Sequence, residues 1–413
     1  MTAAIPRPRA ARQPAGGEPA GPEPRLAVFV PHASDLFTDH HAHGDGLVAF
    51  EVAVRLARRG HEVHVAAPRV EVRGPLPPTL HLYELRVPGG TSALGRLLFM
   101  IRVRRLYDRL GHGRRIDVVH QLNPVFTGIS LALAGTRAPV VLGSFVSDWP
   151  QGIDPRVATG GPSPARRLKR FVASLQQRCA AALLVTTPAA ESRIVELDRD
   201  RAKVVRLPHG IDPALYVRAA DAPAAAAGAA PSILFLGGVE YRKGVFTLLE
   251  AFRRVHAAVP GCRLVVAGTG WEWSRLAALV AELPEGRAVE LLGRVGREDV
   301  ARLMHAATVF CLPSFGEPFG MALLEAMACG KPVVATDAGG AGHLVDDAGG
   351  RKVASGEPGP LADALIEIVR SPALQASMGA HNRAAVERVY DWETVIGRLE
   401  AVYRSVLRPA RSR

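Results

Sequence analysis

The chain has 413 residues and a mass of 44.0 kDa, too long for one typical domain, so two of roughly 180 residues each are expected. Hydrophobic residues make up 48% and charged residues 22%, which excludes an intrinsically disordered chain and allows a sizeable core. The net charge is +12, yet aromatics are only 6% and no nucleic-acid motif accompanies the Arg-rich stretches, so nucleic acid is excluded as the partner.

In chain order, residues 1–24 carry Pro6, Pro8, Pro14, Pro19, Pro22 and Pro24 among Ala, Gly and Arg. They lack the apolar core of a secretion signal and read as a disordered tail. No later stretch approaches the roughly 20 apolar residues that cross a bilayer. The expectation is a cytoplasmic protein, free or peripheral to the inner face of the membrane.

Short apolar runs then alternate with helix-like segments. Strands are predicted at 26–30, 63–67, 117–120, 139–142, 182–186 and 203–207, and a second series at 233–236, 263–267, 289–292, 308–312 and 332–335. Continuous rather than alternating hydrophobicity marks strands buried on both faces, as in parallel sheets covered by helices. Two such βα series predict two doubly wound, Rossmann-like domains, at 25–206 and 207–390. The seam falls in the turn His209-Gly210-Ile211-Asp212-Pro213 and the Ala-rich, low-complexity run at 222–231. A C-terminal helix within 391–413 spaces Trp392, Val395, Ile396, Leu399, Val402, Tyr403 and Val406 at helical intervals and is expected to pack on the N-terminal domain.

Between residues 94 and 110 a helix carries Leu97, Leu98, Met100, Ile101, Leu106 and Leu110 among Arg96, Arg102, Arg104, Arg105 and Arg109. It reads either as a packing helix with arginines on its wet face or as a basic surface for an anionic membrane. The charge is unevenly spread: residues 26–205 hold 24 Lys/Arg against 15 Asp/Glu, a balance of +9, and residues 206–390 hold 18 against 19, a balance of −1. The positive field of the first half points to an anionic or membrane-associated partner there, with a neutral small molecule as the alternative. Cys179, Cys262, Cys311 and Cys329 form no CxxC pair and read as reduced core thiols.

The sharpest chemical signal runs from Ser314 to Pro332. Glu317 sits in a loop after a strand, Gly320 opens a short helix, Glu325 lies one to two turns into it, and Gly330 with Pro332 ends it. The unpaired amides at the start of such a helix suit phosphate or sugar oxygens. Two carboxylates at this spacing can accept hydrogen bonds from two hydroxyl-bearing parts of one extended ligand. The plainer alternative has Glu317 capping the helix and Glu325 solvated on the surface. Gly268-Thr269-Gly270-Trp271 resembles half of a dinucleotide fingerprint, but Trp273 stands where the third glycine belongs, so turn glycines are the better account.

The Glu317 to Glu325 segment resembles the Glu-(seven residues)-Glu signature of family 4 glycosyltransferases. The resemblance extends collinearly over about residues 25–408. It includes Arg59-Gly60-His61-Glu62-Val63, the turn Leu207-Pro208-His209-Gly210-Ile211-Asp212, the loop Leu236 to Gly244, Leu292-Gly293-Arg294-Val295, and Pro332 to Gly340. It implies a GT-B fold with a cleft between two Rossmann-like domains, and retaining transfer from a nucleoside-diphosphate sugar without a metal or other cofactor. The implied acceptor is a natural product, glycolipid or cell-envelope precursor; a non-catalytic sugar-nucleotide-binding protein or an epimerase is the alternative reading. By the same resemblance Glu317 and Lys243 are catalytic. Glu317 faces the sugar and the charge at its anomeric carbon, and Lys243 neutralises the departing diphosphate. Glu325 takes the ribose hydroxyls, and Gly238, Arg242, Val295, Phe319, Gly320 and Met321 complete the donor site. His40, His43, Gly44, Asp45 and Asp148 belong to the acceptor side. The sequence departs from the family pattern at Gly238, where an Arg is expected and Arg242 is the candidate substitute, at His43-Gly44, at Phe145 and at His343. The run from Asp39 to Asp45 and the pair Asp198 and Asp200 could formally ligate a metal, but contact loop and polar loop respectively are the preferred readings. The oligomeric state is left open.

Overall fold

Burial on both faces drives the strands: the inner ones are runs of Val, Leu, Phe and Ala with little or no exposure. The computed structural model describes residues 25–32, 34, 36–40, 44–88, 92–113, 115–122, 128–149, 153, 163–217 and 230–407. The expected tail 1–24, His41, His43 and most of the 222–231 run lie outside the described residues.

The chain begins β1 (Ala27–Pro31), β2 (Phe37–Thr38), α1 (Gly44–Arg58), β3 (Glu62–Ala67), β4 (Val70–Glu71), β5 (Leu80–Glu84) and α2 (Ala93–Gly113). Then follow β6 (Val118–Gln121), β7 (Val140–Phe145), α3 (Pro164–Cys179), β8 (Ala182–Val185), α4 (Leu197–Asp200) and β9 (Val204–Arg206). The second half runs β10 (Ser232–Leu236), α5 (Val245–Ala258), β11 (Arg263–Ala267), α6 (Trp273–Glu282), β12 (Val289–Gly293), α7 (Arg297–Ala306) and β13 (Val309–Leu312). It ends α8 (Met321–Ala328), β14 (Val333–Thr336), β15 (Gly350–Val353), α9 (Pro358–Arg370), α10 (Pro372–Ala385) and α11 (Trp392–Leu407).

Seven parallel strands form a first sheet in the order β5-β3-β1-β6-β7-β8-β9, and six form a second in the order β12-β11-β10-β13-β14-β15. Each order reverses beside its first strand, and ligands of such sheets bind outside the carboxyl ends of the strands at that reversal. The edge strands β5 and β15 were not expected from the sequence. Leu80-His81-Leu82-Tyr83-Glu84 and Gly350-Arg351-Lys352-Val353 lack a continuous apolar run because an edge strand faces solvent on one side.

The chain crosses between the sheets twice, and the crossings are stitched together: Ile211 N donates to Tyr390 O at 2.8 Å and Trp392 N to Ile211 O at 3.1 Å. The second crossing delivers α11 to the first sheet, where Trp392, Val395, Ile396, Leu399 and Tyr403 share one core with Val28, Val63 and Val118. A buried polar clamp fixes it. His61 Nε2 lies 2.8 Å from Glu400 Oε1, and Arg59 donates to both Glu400 oxygens at 2.9 and 3.0 Å. His61 Nδ1 accepts from Leu26 N at 3.1 Å, so Nε2 is the nitrogen that carries the proton to Glu400. Burial pushes the Glu400 carboxyl up, but the hydrogen bonds from Arg59 and His61 outweigh it and hold it below the usual range. Arg59 and His61 of the Arg-Gly-His-Glu-Val stretch thus seat the last helix.

Two histidines are buried neutral. His120 Nε2 donates to Gly143 O at 2.7 Å and its Nδ1 accepts from Tyr403 OH at 2.6 Å, while His209 packs edge-on against Phe319 with centroids 4.7 Å apart. Burial lowers both to about 4 from 6.5. The unfolded chain takes up these protons below pH 6.5 and the folded chain does not until near pH 4, so their contribution is complete above about 6.5 and is lost as pH falls towards 4. Each shift corresponds to on the order of 3 kcal/mol at full extent. The melting temperature should therefore drop steeply between pH 6.5 and 4, and His120→Gln should flatten that slope even though it lowers stability at pH 7; an unchanged slope in calorimetric scans would refute this account.

Candidate active site

The reversal point of the second sheet lies between β10 and β13, and the loops that follow these two strands carry the predicted donor residues. After β10, Gly237 and Gly238 lead into a tight turn over Tyr241–Lys243, closed by Gly244 with a φ of 71°. A Cβ on Gly244 would stand 1.9 Å from Pro313 O, so only glycine lets this turn rest on the loop after β13. Phe315 N donates to Arg242 O at 2.9 Å, and Tyr241 stacks on Phe315 with centroids 5.6 Å apart.

That docking brings Lys243 Nζ to 2.6 Å from Glu317 Oε2, with Ser314 Oγ donating to the same oxygen at 3.2 Å. Glu317 is nearly buried at 9% exposure. Its carbonyl accepts from Gly340 N at 2.7 Å, and a Cβ on Gly340 would lie 2.0 Å from Pro318 O, which explains the small residues after β14. Glu317 makes no capping bond to α8; Gly340 and Lys243 hold it instead. Phe319 is buried, and Gly320 and Met321 open α8 beside it. Glu325 is half-buried and its Oε1 accepts from Tyr216 OH at 3.0 Å, so it is not a solvated surface carboxylate. Gly238 stands over Glu240, whose carboxylate takes Arg242 Nε at 2.5 Å. Val295 packs half-buried after β12.

The first domain reaches this site through the segment after β7. Ser147 Oγ donates to Pro318 O at 3.1 Å, and the Trp149 indole covers both cations, 4.3 Å from the Arg242 guanidinium carbon and 4.9 Å from Lys243 Nζ. Trp149 and Tyr216 escaped the sequence reading. Both lie in irregular connections without a periodic signal, and only an aromatic in a strand-end loop hinted at Trp149.

The acceptor-side residues fall together less completely. Asp148 pairs with Arg193 and is largely exposed. Gly44 and Asp45 form the first turn of α1. His40 Nδ1 lies 2.6 Å from Asp39 Oδ1, and Asp39 also accepts from Gly74 N at 2.7 Å and Arg73 N at 3.0 Å. Asp39 thus anchors a neighbouring loop. Asp198 and Asp200, expected in a polar loop, lie instead on the short helix α4, where Asp200 is buried between Arg199 and Lys203 and Asp198 is exposed. The Gly268-Gly270 turn binds its neighbours through Gly268 N to Gly293 O at 2.7 Å and Val239 N to Thr269 O at 3.1 Å. Cys262, Cys311 and Cys329 are buried thiols, and burial pushes Cys262 up to about 11 and Cys329 up to about 12; Cys179, expected in the core, is exposed at the end of α3.

This geometry can be set beside known proteins. Residues 44–210 match the family described as glycosyl transferase 4-like domain, and residues 219–385 match glycosyl transferases group 1, so the two models cover most of the chain in order. The phosphatidyl-myo-inositol mannosyltransferase of Mycobacterium leprae is 28% identical over 92% of this chain and 97% of its own. A GDP-mannose-dependent monoacylated alpha-(1-6)-phosphatidylinositol monomannoside mannosyltransferase of Corynebacterium glutamicum is 35% identical over 40% of this chain and 44% of its own, and a glycogen synthase of Mycobacterium tuberculosis is 29% identical over 78% and 76%. Among solved structures, Anabaena HepE in complex with UDP covers 92% of this chain and 100% of its own at a TM-score of 0.71 and 18% identity. Sucrose-phosphate synthase from Thermosynechococcus elongatus covers 92% and 99% at a TM-score of 0.71 and 22% identity, and these two likenesses carry the fold. Two Rossmann-like sheets, each reversing beside its first strand, and two family models in matching order lead to one conclusion: the chain belongs to the glycosyltransferases of the family 4 type, with the GT-B fold.

Proposed function

We propose that this glycosyltransferase moves mannose from GDP-mannose, with retention of configuration, to an inositol-bearing phospholipid at an anionic membrane face. The observation that carries the chemistry is the Lys243–Glu317 pair at 2.6 Å on the reversal point of the donor sheet. The bond between the anomeric carbon and the diphosphate oxygen breaks, the electron pair leaves with the diphosphate, and its negative charge rises. Lys243, with Arg242 beside it and the Trp149 ring lying over both, meets that charge. These two fixed cations do the work that a metal would otherwise do. Both side-chain contacts of Glu317 among the described residues fall on Oε2, which leaves Oε1 for the sugar hydroxyls or the positive charge at the anomeric carbon. The acceptor hydroxyl oxygen then forms the new bond to the anomeric carbon, and its proton passes to the departing diphosphate oxygen. Retention is what the family resemblance implies.

The lipid acceptor is supported by the full-length relative named above and by two helix faces of the first domain. On α2, Leu94, Leu97 and Ile101 are exposed beside Arg96, Arg102, Arg104 and Arg105, while Phe99, Val103 and Leu106 bury the opposite side. On α3, Leu168, Phe171 and Leu175 are exposed beside Arg166, Arg167, Lys169 and Arg170, with Phe171 67% accessible. Both triplets follow the same i, i+3, i+7 spacing, and both helices flank the short turn Ile129–Leu133. Apolar anchors ringed by arginines fit an anionic lipid surface, whereas a soluble polysaccharide acceptor gives such residues nothing to bury against. On this proposal α2 packs on the domain through Phe99, Val103 and Leu106 and meets the lipid through its opposite face. Among the described residues no helix is long and apolar enough to cross a membrane.

Three measurements test this. GDP should raise the melting temperature more than UDP, ADP or dTDP, and Glu325→Ala should weaken GDP binding by about 1–3 kcal/mol through loss of charge-assisted hydrogen bonds. Equal shifts by all four nucleotides would remove the donor assignment. Lys243→Ala should lower kcat for donor hydrolysis more than it raises the donor KM, because the charge it meets grows towards the transition state. A change in KM alone would reduce Lys243 to ground-state binding. Finally, Leu97→Ser with Phe171→Ser should cut partitioning to phosphatidylinositol vesicles at least about tenfold, since each buried anchor is worth roughly 1.5–3 kcal/mol, and leave donor hydrolysis unchanged. Undiminished partitioning would instead favour a soluble acceptor.

A further inference from the structure

A second cluster of ionisable side chains lies away from the cleft, at the amino ends of β3 and β5. The two strands run parallel with His64 directly opposite His81, and Glu62, two residues before His64, projects from the same face. The imidazoles stack with centroids 4.8 Å apart and planes inclined by 19°. His64 Nε2 is 3.4 Å and His81 Nε2 is 3.6 Å from Glu62 Oε1, and the three atoms all fall within 4.8 Å of one another. Ligand atoms about 2.1 Å from a tetrahedral ion stand about 3.4 Å apart, so the two separations from Glu62 Oε1 match edges of a coordination tetrahedron, and the third, within 4.8 Å, has at most a small side-chain adjustment to make.

The surroundings favour the same use. His64 is buried and its Nδ1 lies 3.1 Å from Tyr83 OH. With the proton on Nδ1 donated to the phenol oxygen, Nε2 turns its lone pair towards Glu62, the arrangement in which an outer hydrogen bond fixes a ligating imidazole. His81 and Glu62 are partly accessible, at 39% and 26%, and line a cleft of about 410 Å³ with Arg25, Thr79 and Asp117, which leaves an entry path and room for water as fourth ligand.

We infer that Glu62, His64 and His81 form a binding site for one divalent transition-metal ion, with zinc the best match. Two imidazoles and one carboxylate suit a borderline cation, whereas calcium and magnesium require oxygen ligands. The site stands at the opposite ends of the strands from the cleft, so the ion does not act in sugar transfer. It fastens the edge strand β5, which pairs only with β3 in its sheet, to the rest of the sheet.

The test uses tag-free full-length protein stripped with a chelator and titrated with zinc chloride against a chromophoric zinc indicator. One equivalent should bind, the melting temperature should rise with it, and His81→Ala and Glu62→Gln should each lower the affinity at least tenfold and abolish the rise. Tyr83→Phe should weaken binding by about tenfold while keeping the stoichiometry, as loss of an outer-shell partner does. Absence of stoichiometric binding would overturn the proposal and leave Glu62 as an ordinary ion-pair partner of the two histidines. So would binding that survives both His81→Ala and Glu62→Gln, which would place the ion elsewhere, for instance in the His-rich loop around His40.

Discussion

The contact between Lys243 and Glu317 is the point on which the site depends. An ammonium and a carboxylate 2.6 Å apart, each mostly shielded from water, tie together two loops that also meet through the Phe315 N to Arg242 O hydrogen bond and the Tyr241–Phe315 stack. Strand order makes the contact possible. β10 and β13 are neighbours although two strands and three helices separate them in sequence, so the loops that leave their carboxyl ends emerge side by side. Glycines then set the distance, because neither Gly244 nor Gly340 leaves room for a Cβ against the facing carbonyl. Charge, turn geometry and topology thus converge on one pair of atoms.

A second dependence runs through the last helix. Glu400 is buried against His61 and capped by the partly exposed Arg59, both more than 300 residues earlier in the chain, and Tyr403 hydrogen-bonds to the buried His120. Breaking a buried, hydrogen-bonded charge cluster by removing one partner is costly, so the core of the first sheet is incomplete until the C-terminus has been made. The same helix begins at the double crossing, where Ile211 and Trp392 share hydrogen bonds and Trp392 packs against Gly210. The core of one domain and its covalent tether to the other are therefore a single packed unit, and Arg55 adds to it by lying 5.2 Å over the Trp392 ring.

The uneven charge along the chain has a structural counterpart. Both halves carry ion pairs, such as Arg351 with Glu367 and Arg263 with Glu290 in the second and Arg104 with Asp108 in the first. What distinguishes the first half is that arginines of α2 and α3 flank exposed leucines and a phenylalanine. Within the runs that looked most like metal ligands, Asp39 holds backbone amides and Asp200 holds Arg199 and Lys203, while His41 and His43 lie outside the described residues. The set with ligand-like spacing, Glu62, His64 and His81, spans two strands and shows in the sequence only as an unremarkable Glu-x-His and a His 17 residues later.

By itself the sequence determined the fold class, most of the inner strands, the helix opened by Gly320 and the identity of Lys243, Glu317 and Glu325, because continuous apolar runs, turn glycines and a collinear motif set are local properties. The edge strands β5 and β15 stayed hidden, since half-exposed strands need no apolar run. Which loops meet, which carboxylate Lys243 pairs with, that Tyr216 reaches Glu325 and that Trp149 covers the cations were decided only by tertiary structure. Those are contacts between residues 70 to 110 positions apart, and no periodicity or spacing along a chain encodes the distance between side chains that strand order alone brings together.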